Sequence, residues 1–145
     1  MRDPFGNLWN IATRLGANYL PEDLGHVTPA LLPSNAPALI DFLKSAFGAE
    51  EIAPRHEEAG RLVHAFIRIG KATVEMSEVG EEEVRPFGFY LRTDNVDAVY
   101  RRAMDAGAIS LSPPADQAFG DRMAVLQDPF GNQWLPATRL SEPRS

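Results

Sequence analysis

One segment of this chain is written twice. Asp3-Pro-Phe-Gly-Asn-Leu-Trp-Asn-Ile-Ala-Thr-Arg-Leu15 returns as Asp128-Pro-Phe-Gly-Asn-Gln-Trp-Leu-Pro-Ala-Thr-Arg-Leu140, with ten of thirteen positions identical and an offset of 128 − 3 = 125 residues. A period of that size is the length of one small domain, far longer than a solenoid repeat. The second copy closes what reads as a complete domain, and the first has no domain before it in this sequence. The first copy is therefore expected to be either the remnant of a preceding unit in the ancestry of the chain or an element with a structural role of its own.

The rest of the composition narrows the class. At 145 residues one domain with a real core is expected. There are no cysteines, which removes disulfides, thiolate catalysis and cysteine metal sites. The net charge of −6 argues against nucleic acid, because no basic stripe is present to displace counterions from phosphates. It weakly favours a neutral or cationic ligand. No apolar run has the length of a membrane span, and the N-terminus lacks the apolar core of an export signal, so a cytoplasmic protein is expected.

Pattern reading gives alternating strands and two helices. Asp3-Pro-Phe-Gly-Asn is a turn signal, followed by a short strand over Leu8–Leu15 and a polar connector. His26–Leu32 reads as a strand that Pro29 demotes to an edge or a bulge. Ser34 or Asn35 caps a helix with Pro37 in its first turn and Gly48 as its stop. Leu39, Ile40, Phe42, Leu43, Ala46 and Phe47 supply its apolar face. Glu51–Arg55, Leu62–Ile69 and Ala72–Glu78 follow as strands, the last two flanking the hairpin signal Gly70-Lys71. After an acidic linker, Glu81–Pro86, the order restarts: strand Phe87–Thr93, a helix capped by Asp94 or Asn95 and ended by Gly107, then strands Ile109–Ser112, Arg122–Gln127 and Trp134–Thr138. The expected fold is α+β, two βαβββ modules forming a curved mixed sheet with helices outside. The expected organisation is an N-terminal extra strand and linker over 1–24, a single domain over 25–140 made of modules 25–80 and 86–140, and a tail over 141–145.

Paired βαβββ modules and five motifs in order carry a family resemblance. Val27-Thr-Pro-Ala-Leu, Ile40-Asp-Phe-Leu-Lys-Ser-Ala-Phe-Gly-Ala-Glu-Glu51, Val63-His-Ala-Phe-Ile-Arg-Ile-Gly70, Gly120-Asp-Arg122 and Asp128-Pro-Phe-Gly-Asn-Gln-Trp134 resemble the vicinal-oxygen-chelate superfamily. That superfamily holds glyoxalase I, bleomycin-resistance proteins and extradiol dioxygenases, and the motifs look like its PhnB-like branch. The resemblance spans Gly25 to Leu140. It implies a cleft between two modules, dimerisation, and a divalent metal held by the first and last strands of each module. Those ligand positions fall on Thr28, Glu75, Gly88 and Leu135. Only Glu75 is a strong ligand. Threonine brings at best a neutral oxygen, glycine has no side chain and leucine no donor, whereas such metals take several oxygen or nitrogen ligands. No metal cofactor and no glyoxalase I activity are expected.

Two alternatives follow. His26, His64 and Glu75 would make a two-histidine, one-carboxylate metal set if the bulge at Pro29 re-aimed His26. Without metal, Thr28, His64, Phe66, Glu75, Tyr90, Arg92, Arg122 and Trp134 are the candidates to line an aromatic cleft for a small molecule. Glu75 is the one candidate catalytic base. The expected function is small-molecule binding, like the bleomycin-resistance members. The alternative is a lyase, isomerase or dioxygenase depending on metal or on Glu75. A homodimer is expected, in which Leu8–Thr13 pairs either on an exposed sheet edge or against a second subunit.

Overall fold

Two asparagines start the two helices. Asn35 Oδ1 accepts the Ala38 amide at 3.1 Å and Asn95 Oδ1 accepts the Ala98 amide at 3.0 Å. Each satisfies a donor that a first helical turn leaves open. In the computed structural model, which describes residues 1–13, 21 and 24–141, these caps open α1 (Ala36–Phe47) and α2 (Val96–Asp105). Pro37 lies in the first turn of α1, where its missing amide costs nothing. Gly48, in the left-handed region at φ 67°, ends the helix and donates to Lys44 O at 3.0 Å.

The same strand order surrounds each helix. β1 (Ala30–Leu31), β2 (Glu50–Glu51), β3 (His56–Glu58), β4 (Arg61–Ile69) and β5 (Ala72–Met76) make one sheet in the order β1-β5-β4-β2, with β3 beside β4. β6 (Gly88–Arg92), β7 (Ile109–Asp116), β8 (Asp121–Gln127) and β9 (Gln133–Arg139) make the other in the order β6-β9-β8-β7. In both, the first strand runs parallel to the last. Ala30 faces Glu75 and Tyr90 faces Leu135, each partner displaced by 60 residues (90 − 30 and 135 − 75). Parallel strands need a crossover, and each helix begins that connection. This is the expected α+β fold of two βαβββ modules, built as two mixed sheets.

Burial follows the helix periodicity. Leu39, Ile40, Leu43 and Ala46 of α1 are fully buried and join Leu31, Ala65, Ile67, Val74 and Met76 of the first sheet in the core. Fully burying a side chain of the leucine class contributes about 1.5–3 kcal/mol. The helices also pack on each other, and the small Ala46 and Ala103, both 0 % exposed, sit in the same core. Beside them the Phe47 ring lies 4.9 Å from Trp134, which stacks on Phe89 at 4.6 Å and 21°. This aromatic trio joins the two modules.

Some elements depart from the pattern reading. β1 begins only at Ala30, just after Pro29, which has no amide to give a ladder, although its carbonyl accepts the Glu75 amide at 2.8 Å. β2 is confined to Glu50–Glu51, and the charged edge strand β3 had no alternation to announce it. β7 continues through Pro113 and Pro114 to Asp116, with register shifts, on the sheet edge where proline is tolerated. The strand expected over Leu8–Leu15 is not formed among the described residues. Leu8 makes one isolated bridge, to Arg2, and 9–13 belong to no strand. Arg14, Leu15, most of the connector and 142–145 lie outside the described residues.

Candidate functional site

Each sheet has one face turned to the helices and one left open. Along β4, Ala65, Ile67 and Ile69 enter the core, so strand alternation turns His64, Phe66 and Arg68 to the other face. Thr73, Glu75 and Ser77 share it, with Phe66 opposite Glu75 and Arg68 opposite Thr73. His64 Nδ1 is hydrogen-bonded to Glu75 Oε1, both side chains being about a third to a quarter exposed (31 % and 26 %). His56, on β3, stacks over His64 with centroids 6.4 Å apart and its Nε2 meets Glu58 Oε1 at 3.1 Å. Phe66 is buried outside the main core cluster. An open depression of about 470 Å³ runs along this edge, lined by Glu58, Arg61, Leu62, His64, Ser77 and Glu78 among others.

The open face of the second sheet has different chemistry. Tyr90 and Arg92 on β6 share it with Leu135, Ala137 and Arg139 on β9 and with Asp121, Met123 and Val125 on β8. The Tyr90 hydroxyl donates to Asp121 Oδ2. That hydrogen bond to the neutral phenol, with the Asp121 charge and desolvation, raises the Tyr90 pKa above its ordinary value. A second depression, of about 570 Å³, is lined by Arg92, Thr93, Asp94, Thr138 and Arg139.

The structure divides the expected site residues. His64, Phe66 and Glu75 come together on the first sheet, and Tyr90 and Arg92 on the second. Trp134 does not line a cleft. Leu126 faces Trp134 across β8 and β9, which puts the indole on the helix side, 2 % exposed, its Nε1 donating to Asp128 Oδ2 at 3.0 Å. Arg122 is also on that side. Its Nε and Nη2 hold both Asp97 oxygens of α2 at 2.8 and 2.9 Å, and Nη1 holds Asp116 at 2.9 Å. These bonds raise the Arg122 pKa and lower that of Asp97, and the fork ties α2 to β7 and β8. Arg139 and Asp121 were missed. Alternation along β9 from Leu135 to Arg139 was the available signal.

The residues do not fit a divalent metal centre. His26 is exposed in the segment before β1, and Thr28 is half-buried there. Among the described residues no group of three His, Cys, Asp or Glu side chains stands close enough to hold an ion, so His26, His64 and Glu75 are not assembled as a ligand set. Of the four positions that the resemblance assigns, Glu75 already holds His64, Leu135 has no donor, and a Cβ placed on Gly88 would meet nothing within 4 Å.

Two βαβββ modules, joined through helices and an aromatic seam and each presenting an open sheet face, define the structural class. Residues 23–135 match the model of the Glyoxalase/Bleomycin resistance protein/Dioxygenase superfamily, and the chain belongs to that superfamily. An uncharacterized protein of Mycobacterium bovis is 33 % identical over 120 residues, covering 74 % of this chain and 79 % of the relative. An uncharacterized protein of Mycobacterium tuberculosis has the same identity over 71 % of its own length and 74 % of this chain. Among solved structures, TioX from Micromonospora sp. ML1 superposes with a TM-score of 0.68 at 23 % identity over 80 % of this chain and 99 % of its own. A glyoxalase/bleomycin resistance protein/dioxygenase family enzyme from Burkholderia phytofirmans gives 0.63 at 19 % over 77 % and 95 %. Both are likenesses of fold. No helix among the described residues is long and apolar enough to cross a membrane.

Proposed function

We propose that this chain is a cytoplasmic, PhnB-like member of the superfamily that binds a small organic molecule on its open sheet faces. It works as a homodimer and without the divalent metal of the superfamily's enzymes. The observation that carries this reading is the ligand set itself: Thr28, Glu75, Gly88 and Leu135 bring one strong donor where a metal needs several. The open faces, with Tyr90 52 % exposed beside guanidinium groups, suit a small molecule with an apolar body. The dimer is supported by the N-terminal segment, whose Phe5, Leu8, Trp9 and Ile11 are all exposed and whose Leu8–Thr13 stretch joins neither sheet among the described residues.

A thermal-shift screen tests the reading. Saturating manganese, zinc or ferrous iron is expected to leave the midpoint unchanged, whereas a bound small molecule at a hundred times its Kd adds about 2.7 kcal/mol to stability. Stabilisation by a metal alone sinks the metal-free reading. Sedimentation tests the dimer: deletion of residues 1–24 is expected to yield a folded monomer, and an unchanged association state removes the N-terminal segment from the interface.

One observation favours a second reading. The His64–Glu75 pair has the geometry of a base and its orienting partner, which is what proton abstraction in a metal-free lyase or isomerase requires. Glu75→Gln separates the two. It abolishes turnover if Glu75 acts as base or sets the His64 tautomer, and it only weakens binding of a cationic ligand otherwise.

A further inference from the structure

We propose that the open face of the second sheet is a site for a small planar carboxylate, with Arg92 and Arg139 as the anion fork and Tyr90 as the aromatic wall. This deepens the small-molecule reading and rests on it. Twenty acidic side chains outnumber fourteen basic ones in this chain, so arginines have partners in abundance. Arg55 takes Glu51, and Arg122 takes Asp97 and Asp116. The side chains of Arg92 and Arg139 make no ion pair or hydrogen bond with any described residue, yet they line the same depression and both act electrostatically on Tyr90.

The acids nearest to them do not close the site. Asp121 stands opposite Arg139 across β8 and β9 but accepts the Tyr90 hydroxyl instead. Asp94 is on the rim of the depression without gripping either guanidinium. The α2 N-terminus is not the anion donor, since the Val96 amide already gives its hydrogen to Thr138 Oγ1 at 2.8 Å. Two guanidinium groups left open on one face match the two oxygens of a carboxylate, which they bind as a fork rather than as point charges.

The floor of the face sets the remainder of the ligand. Leu135, Met123 and Val125 are half-buried side chains on that surface, and Leu135 sits directly beside Tyr90. An aromatic ring placed there covers apolar surface and meets the edge or face of Tyr90. The overall charge of the chain favours cations at long range, but local hydrogen-bond donors decide the sign of a bound group at contact distance.

Calorimetry on the full chain with 2-naphthoate, its neutral amide and inorganic phosphate tests the site. Naphthoate is expected to bind, with the amide about tenfold weaker or more. Arg92→Gln and Arg139→Gln each weaken naphthoate about fivefold to tenfold, and Arg101→Gln on α2 leaves it unchanged. Circular dichroism of each variant establishes that the fold is intact. Amide binding as tight as that of the acid, or variants that match the parent, overturns the anion fork while small-molecule binding itself stands. Phosphate binding as tight as naphthoate overturns the aromatic wall. Absence of naphthoate binding at millimolar concentration overturns the site, and the thermal-shift screen with metals and other small molecules then judges the broader reading independently.

Discussion

Asp3 and Asp128 head the same segment and organise it through the same four hydrogen bonds. Asp3 Oδ1 accepts the Phe5 and Asn7 amides, both at 2.9 Å, and Oδ2 accepts Asn7 Nδ2 at 2.8 Å and Trp9 Nε1 at 3.1 Å. Asp128 Oδ1 accepts the Phe130 and Asn132 amides at 2.9 and 3.0 Å, and Oδ2 accepts Asn132 Nδ2 at 2.8 Å and Trp134 Nε1 at 3.0 Å. The residue pairing that enters the turn recurs as well: Arg2 bridges Leu8 as Gln127 faces Gln133, each displaced by 125 (127 − 2 and 133 − 8). The surroundings differ completely. Asp128, Asn132 and Trp134 are 2 %, 4 % and 2 % exposed, while Trp9 is 48 % and Phe5 90 % exposed. The turn is therefore encoded locally, by an aspartate that satisfies its own loop, and burial is added by what the rest of the chain brings to it. For the second copy that is Phe47, Phe89 and the Phe87 amide, which donates to Asn132 Oδ1 at 2.9 Å.

The largest effect separates the two copies by stability. Asp128→Ala strands four donors, three of them buried and the Phe130 amide part-buried; a buried donor left unsatisfied costs about 1–3 kcal/mol, and relaxation reduces the sum to about 3–5 kcal/mol. For a chain of this size that is a fall in Tm of about 10 °C or more. Asp3→Ala is expected to leave the Tm of the domain unchanged, since water replaces the lost acceptor. Equal losses in thermal unfolding of the two variants break the comparison, because the N-terminal copy would then belong to the same cooperative unit.

Asn132→Ala asks how the second copy is docked. It removes the acceptor of the Phe87 amide and one donor to Asp128, at a cost of about 2 kcal/mol. Asn7→Ala, in the exposed copy, is expected to cost nothing measurable in the same denaturation experiment. A neutral Asn132→Ala places the docking in the Phe47–Trp134–Phe89 stack alone.

What was legible in the sequence follows the same division between local and non-local. Asn35, Asn95, Gly48 and Gly70-Lys71 act within a few residues of themselves, and the helices and the β4–β5 hairpin fell where those residues put them. Strand alternation puts His64 with Phe66 and Glu75 with Ser77. It does not say which face a helix will cover, and Trp134 and Arg122, candidates to line the cleft, lie on the helix side. The partner of Arg122 is Asp97, 25 residues away on another element, beyond any short-range pattern. Arg139 lies one residue beyond the strand pattern Trp134–Thr138, at the end of the alternation that starts at Leu135.

The smallest expected effect belongs to the exposed copy and is read by pH. The hydrogen bonds from Asn7 and Trp9 lower the Asp3 pKa from 3.8 to about 2. A carboxyl whose folded pKa is depressed contributes to its structure above the unfolded value, and that contribution is lost as pH falls through the folded one. The N-terminal turn is thus fully held above about pH 4 and opens as the pH falls toward about 2. At pH 3 a group of pKa about 2 is still about nine-tenths ionised, whereas an unperturbed aspartate is mostly protonated. The Trp9 indole N–H resonance, assigned by its loss in Trp9→Phe, is expected to keep its hydrogen-bonded shift at pH 3. A midpoint near the ordinary aspartate value shows instead that the four bonds do not persist without burial. The N-terminal segment would then need its partner surface in order to fold, and the turn would no longer be encoded by its own residues alone.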